Sequence, residues 1–442
     1  MKNIKYIVSP GKSISGEFRV PGDKSISHRS IMLGALADGT TNVTGFLSGE
    51  DSLATLKAFQ AMGVEIEGPI DGNVTIKGVG IDGLKQPSTP LDLGNSGTSM
   101  RLMSGLLAGQ KFDVTLIGDE SLSSRPMKRV TDPLALMGAK IDTTEKGTAP
   151  LKVNGGAGLN GITYDMPMAS AQVKSCLLLA GLYADGKTVV TEPAPTRDHT
   201  ERMLTGFGYK VDVDGATVTV EGGGRLAATD IDVPADISSA AFYMVAAAIA
   251  DDSEVVIQHV GINPTRTGII DILKLMNADI SIENEKVVGG EPIADIRVKS
   301  SNLKGINIPE ELVPLAIDEF PVLFVAAACA EGKTVLTGAE ELRVKESDRI
   351  QVMADGLVEL GVDAQPTEDG MIINGVGKDD RPFGGGVVHS HHDHRIAMSF
   401  AVASLKATAD IEINDCIHVN TSFPGFAQLA QQVGIKLQES EV

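Results

Sequence analysis

The sequence predicts an α/β protein of two domains, each built from three βαβαββ repeats. Three observations carry that prediction: a helix–turn–strand signature occurs six times, a nearly apolar helix recurs between its copies, and 442 residues are many for one core. The repeat is too large for the common solenoids and no capping repeat is visible, so two globular domains fit better than an extended array. The crossing is expected near VPADISS (233–239). This gives a first domain over 21–236 and a second over 237–442 joined by 1–20.

The six signatures are LKAFQAMGVEIE, PLALMGAKID, MLTGFGYKVDV, ILKLMNADISIE, GLVELGVDAQ and LAQQVGIKLQ. Each reads as the end of an amphipathic helix, a Gly or Asn just past it, and a short alternating strand. The turn residues Gly63, Gly138, Gly208, Asn277, Gly361 and Gly434 lie roughly 70 to 85 residues apart. Between them run SIMLGALADG, TSMRLMSGLLAG, KSCLLLAGLYADG, AAFYMVAAAIADD, FPVLFVAAACAEG and IAMSFAVASLKA. A helix with no polar face must be buried on every side. Three of them, packed together and covered by sheets, make one domain core, and six make two.

Composition narrows the function. The chain is 42% hydrophobic and 22% charged, as ordinary globular proteins are. A formal net charge of −20 argues against general affinity for nucleic acid or anionic lipid, so any anion site must be a local concentration of cations. The start, MKNIKYIVSPGK, lacks a signal-peptide core, and no apolar run approaches the ~18 residues of a membrane span. Cys176, Cys329 and Cys416 are few and have no Cys-x-x-Cys spacing. A cytoplasmic location is therefore expected.

Charge gathers at the helix entrances. Buried-helix entrances carry Lys24, Ser25 and Arg29; Asn95, Thr98 and Arg101; Ser170, Gln172 and Lys174; Asp318; and His394 with Arg395. Amphipathic-helix entrances carry SSRPMKR, TRDHTER, NPTRTG and RVKESDR. Helix N-termini present unbonded N–H groups and partial positive charge, which suit phosphate and carboxylate. Any one entrance can equally be an ordinary cap with an exposed arginine. Together, in so acidic a chain, they point to a ligand with several negative charges.

Among the acids, Asp318 begins a buried helix and reads equally as an N-cap, as does Glu319. Glu346 lies between Lys345 and Arg349, where a carboxylate is held ionised and can act as a base once substrate arrives. HSHHDHR (389–395) could place His391, Asp393 and His394 around a metal, but with no second ligand cluster it reads as a solvated loop before a helix. The glycines of GNSGTSMR lack the Walker ending and the dinucleotide spacing, though they allow close backbone approach to a ligand.

Taken together and in order, PGDKSISHR, GNSGTSMRL, SRPMKR, SAQVKS, RVKESDR and DHRIAMSF resemble the 5-enolpyruvylshikimate-3-phosphate synthase family over essentially the whole chain. The resemblance implies the enolpyruvyl transferase fold, an inverse α/β barrel in each domain, closing over substrate. It implies transfer of enolpyruvyl from phosphoenolpyruvate to the 5-hydroxyl of shikimate 3-phosphate, with release of phosphate. Carried over by motif, Lys24, Ser25, Arg29, Ser170, Ala171, Gln172, Arg197, Asp318 and Lys345 would bind shikimate 3-phosphate. Lys24, Gly97, Arg125, Gln172, Arg349 and Arg395 would bind phosphoenolpyruvate. Lys24, Asp318, Lys345 and Glu346 would be catalytic. No metal and no other cofactor is implied. The expected partners are small anionic substrates, with no nucleic acid and no membrane, and the chain is expected to act as a monomer.

GDKS, SAQVK, RDHTE and NPTR resemble the class II members, several of which tolerate glyphosate. Tolerance there often goes with an alanine where this chain has Gly97, and Gly97 leaves room for the inhibitor. Some members carry a Lys before the late Phe-Pro; here HVNTSFPGF has Asn420, Thr421 and Ser422, and Arg197 offers an alternative cation. Two other readings are an enolpyruvyl transferase acting on UDP-N-acetylglucosamine and a non-catalytic anion-binding protein. The first typically has Lys-Asn where this chain has Lys24-Ser25, and a loop cysteine that GDESLSSRPMKR lacks.

Overall fold

The computed structural model describes residues 4–441. The chain divides into two compact units. The first comprises Gly22–Val233 with Val288–Glu291; the second comprises the chain up to Pro21, Pro234–Val287 and Pro292 onward.

In the first unit, buried and amphipathic helices alternate. They are α1 (Lys24–Leu36) and α2 (Glu50–Ala61), then α3 (Gly97–Ala108), the single turn α4 (Glu120–Ser124) and α5 (Lys128–Leu136), then α6 (Ala171–Gly181) and α7 (His199–Gly206). Past their first turns, α1, α3 and α6 are buried throughout, as their apolar sequences require. Helix α3 packs on both α1 and α6. A Cβ on Gly105 of α3 would lie 2.0 Å from the Cys176 carbonyl oxygen of α6, so only glycine permits this approach.

The repeat is plainest in its third copy. Strand 163–165 pairs parallel with 187–191 across α6; 187–191 and 211–214 then each pair antiparallel with 217–221. The second copy repeats that order with 91–92, 114–117, 151–154 and 140–142. The first copy borrows its parallel edge from 226–227 and 231–232, which pair with the two ends of 37–44. Its upstream strand, 15–18, instead pairs parallel with 254–261 in the second unit.

The second unit carries α8 (Ile237–Ile249) and α9 (Gly268–Leu275), α10 (Phe320–Ala328) and α11 (Arg349–Glu359), and α12 (His394–Ala403) and α13 (Phe426–Val433). Helices α8, α10 and α12 are the apolar set, and each packs on the other two. The N-terminal strand 4–9 completes the last sheet, antiparallel to both 411–414 and 436–441. Each unit therefore has its own core and three sheets. All six turn residues of the signature have positive φ, from 72° at Asn277 to 118° at Gly434, as a left-handed helix stop demands. No helix among the described residues is long and apolar enough to cross a membrane.

Candidate active site

In the first unit, side-chain bonds tie the opening turns of α1, α3 and α6 together. Asp23 caps α1 by accepting from the Ile26 N–H at 2.8 Å. Lys24, the first residue of α1, places its Nζ 2.9 Å from Asp51 Oδ2 at the start of α2. Arg29 is buried and donates to the Ser25 carbonyl (3.0 Å), to Thr200 Oγ1 on α7 (2.7 Å) and to Ser175 Oγ on α6 (2.9 Å). Burial pushes its pKa down to about 10, against the pull of Glu201 and Asp23, so the guanidinium stays charged at neutral pH. Ser170 caps α6, accepting from Val173 N–H at 3.4 Å, and Ala171 is that helix's first residue. Gln172 is held between Arg101 Nη1 (2.5 Å) and Thr98 Oγ1 (3.1 Å). Arg197 is half-buried on the approach to α7.

Arg125 differs from these cations. It is 8% exposed, and its bonds go to the neutral Asn95 Oδ1 (2.7 Å) and Ser121 Oγ (3.2 Å). Its Nε has no hydrogen-bond partner, and among the described residues no carboxylate pairs with it. Gly97, the first residue of α3, sits against it: a Cβ there would lie 3.2 Å from Arg125 Nη1 and 3.3 Å from Arg101 Nη1. A nearly buried guanidinium beside a helix N-terminus makes a place for an anion approaching along glycine backbone.

In the second unit the carboxylates converge. Asp318 Oδ1 accepts from Arg349 Nη1 at 3.2 Å and lies 3.7 Å from Lys345 Nζ, while Arg395 Nη1 donates to its carbonyl at 3.1 Å. Glu346 Oε2 is 2.6 Å from Arg349 Nη2. Arg349, only 1% exposed, also meets Asp393 Oδ2 at 2.8 Å through Nε. Burial alone would lower its pKa, but Asp393, Glu346 and Asp318 outweigh that and raise it above the ordinary value. Four predicted groups, Asp318, Lys345, Glu346 and Arg349, thus share one charge cluster, with Arg395 beside it. The cluster places a carboxylate that can accept a proton among cations that can hold an anion.

Several expectations need correction. Asp318 caps no helix: Glu319 stands at the N-cap position of α10 without a side-chain cap, and its carboxylate accepts from Ser238. Not every entrance cation faces a ligand. Lys174 is buried against Glu192 (3.1 Å) and Glu201 (2.7 Å), Arg266 pairs with Asp236, and Arg343 with Asp348. These ions brace loops against helix starts. Of HSHHDHR, only His391 and His392 form an exposed turn: His389, also exposed, ends a strand, and Ser390, Asp393 and His394 are buried. Among the described residues, no cluster of three His, Cys, Asp or Glu side chains suits a metal. Two partners of predicted site residues were not read as such from the sequence: Asp51, which pairs with Lys24 in the first unit, and Asp393, weighed there only as a metal ligand, which pairs with Arg349 in the second. An acid at the start of α2, where other amphipathic entrances are cationic, was the available clue to Asp51.

His28 follows Lys24 by one helical turn. Its Nδ1 lies 2.8 Å from Thr55 Oγ1 and 3.3 Å from Ser99 Oγ, and Ser99 continues to the cap residue Ser96 at 2.7 Å. Burial, then Lys24 and Arg29, push its pKa down to about 3. Unfolding therefore takes up a proton below the ordinary value near 6.5, so this stabilisation is present above that pH and is lost as pH falls toward 3. The slope is about 1.4 kcal/mol per pH unit. Denaturant titrations at pH 7 and pH 5 should show His28→Gln losing stability less steeply than the parent chain; equal slopes would contradict this placement.

A family model described as EPSP synthase (3-phosphoshikimate 1-carboxyvinyltransferase) matches residues 8–429. The 3-phosphoshikimate 1-carboxyvinyltransferase of Hydrogenovibrio crunogenus is 68% identical, covering 100% of this chain and 99% of that protein. That of Methylococcus capsulatus is 66% identical, with 99% of each covered. The solved EPSP synthase of Acinetobacter baumannii superposes with a TM-score of 0.89 at 62% identity, covering 99% of this chain and 100% of that one. Agreement of this extent, over the whole length and in three dimensions, leads to one conclusion: the chain belongs to the EPSP synthase family.

Proposed function

We propose that the chain transfers the enolpyruvyl group of phosphoenolpyruvate to the 5-hydroxyl of shikimate 3-phosphate and releases phosphate, a step of the shikimate pathway toward aromatic amino acids. Family membership supports the reaction, and the observation that best supports the site is Arg125, a nearly buried cation beside Gly97 with no carboxylate partner among the described residues.

In this reading Lys24, Gly97, Arg125, Gln172, Arg349 and Arg395 bind phosphoenolpyruvate. Lys24, Ser25, Arg29, Ser170, Ala171, Gln172, Arg197, Asp318 and Lys345 bind shikimate 3-phosphate. Asp318 takes the 5-hydroxyl proton as that oxygen bonds to C2 of phosphoenolpyruvate, while C3 gains a proton from the side of Glu346, Lys24 and Lys345. The product of this addition is a tetrahedral ketal. Loss of a proton from C3 then re-forms the double bond and breaks the C2–O bond to phosphate. Cations around the phosphate and carboxylate stabilise the charge that develops in both steps. The chain works as a cytoplasmic monomer on these small anions, without metal or redox cofactor; light scattering should give the mass of a single chain, and a dimer mass would contradict the monomer.

Turnover in D₂O tests the chemistry. Because C3 becomes a methyl group in the ketal, deuterium should appear in the vinyl CH₂ of the product. A product without deuterium would rule out addition and elimination.

Gly97 bears on inhibition. A methyl group there presses on Arg125 and Arg101 at 3.2 and 3.3 Å, so each guanidinium must give way by a few tenths of an ångström. Gly97→Ala should weaken glyphosate about tenfold or more, some 1.4 kcal/mol, and phosphoenolpyruvate less. Inhibition constants and KM measured side by side check this, and equal losses would contradict it.

A further inference from the structure

Asp393 is fully buried, at 0% exposure, yet it is a carboxylate that the proposed chemistry does not use. Four donors converge on its two oxygens. Arg349 meets Oδ2 through Nε at 2.8 Å and Oδ1 through Nη2 at 3.4 Å. Ser347 Oγ donates to Oδ2 at 3.0 Å, and the Arg395 N–H donates to Oδ1 at 2.9 Å. One side chain therefore fixes three things: the guanidinium of Arg349, the segment 345–349 that carries Lys345 and Glu346, and the start of α12 that carries Arg395.

The chain leading to it is built for that position. His391 and His392 have φ of 51° and 62°, a left-handed conformation that non-glycine residues seldom adopt. Asp393 follows directly, turned inward, while both imidazoles stay on the surface. Such backbone is retained where surrounding structure over-determines it, and here the four bonds to Asp393 do so.

We propose that Asp393 is a positioning residue for phosphoenolpyruvate binding, acting through Arg349 and Arg395 rather than by touching substrate. The inference rests on the reading that both arginines bind phosphoenolpyruvate. The carboxylate holds the Arg349 fork by Nε and, at longer range, Nη2, so that Nη1 faces Asp318 and Nη2 also reaches Glu346. With Asp393 removed, Arg349 keeps its charge but loses the partner that orients it, and the two cations no longer share one frame.

The test is steady-state kinetics of Asp393→Asn, which keeps the shape and the bond to the Arg395 N–H, beside a thermal melt. KM for phosphoenolpyruvate should rise about tenfold to a hundredfold. KM for shikimate 3-phosphate should stay within about twofold. Adding Asp393→Asn to Arg349→Lys should raise KM for phosphoenolpyruvate by less than it does in the parent chain. Ser347→Ala leaves both ions in place and serves if Asp393→Asn fails to fold; it should raise the same KM about threefold. Unchanged KM in either variant, equal rises for both substrates, or additive effects with Arg349→Lys would overturn the proposal and leave a stability role only. No turnover by the parent chain would overturn the activity, and this inference with it.

Discussion

Asp318→Asn should lower kcat about a thousandfold, within the range general bases contribute. The amide is isosteric and still accepts from Arg349, so the anion cluster persists, but it cannot take the 5-hydroxyl proton. Lys345 and Arg349 lie 3.7 and 3.2 Å from the native carboxylate and hold it in place. Rapid-quench kinetics at saturating concentrations of both substrates check the chemical step, and a thermal melt separates it from misfolding. A folded variant within about tenfold of the parent rate would remove Asp318 from the base role.

Arg125→Ala should act on binding rather than on proton transfer. The loss expected for one desolvated cation against a phosphate or carboxylate is about 2 to 4 kcal/mol, roughly a thirtyfold to thousandfold rise in KM for phosphoenolpyruvate. Because among the described residues Arg125 bonds only neutral groups, Asn95 and Ser121, its removal strands no carboxylate there, and stability should change little. Arg125→Lys should recover part of the loss, since an ammonium keeps the charge without the planar fork. An unchanged KM in Arg125→Ala would place the anion elsewhere.

The repeat was legible because its signals are local. An all-apolar helix can only be internal, and a glycine or asparagine after an amphipathic helix marks a left-handed stop, as Gly63 through Gly434 do. The cationic helix starts were legible for the same reason. What they face was not, because that depends on partners far along the chain. Lys174 meets Glu192 and Glu201 across a strand and a loop, whereas Arg125 meets no acid among the described residues; both look alike as cations at an entrance. Asp393 was hidden by company: four histidines around it suggest a metal loop or a solvated one, and its partners Arg349 and Ser347 lie 44 and 46 residues away. Asp318 was legible as an acid at a helix start but not as the member of a cluster, since its partners are on α11 and α12.

The most direct measurement is phosphate release from phosphoenolpyruvate in the presence of EDTA, with shikimate 3-phosphate or UDP-N-acetylglucosamine as acceptor. Enolpyruvyl transfer to the 5-hydroxyl predicts release with shikimate 3-phosphate alone, undiminished by the chelator. Release only with UDP-N-acetylglucosamine, or binding of both anions without release, would contradict it.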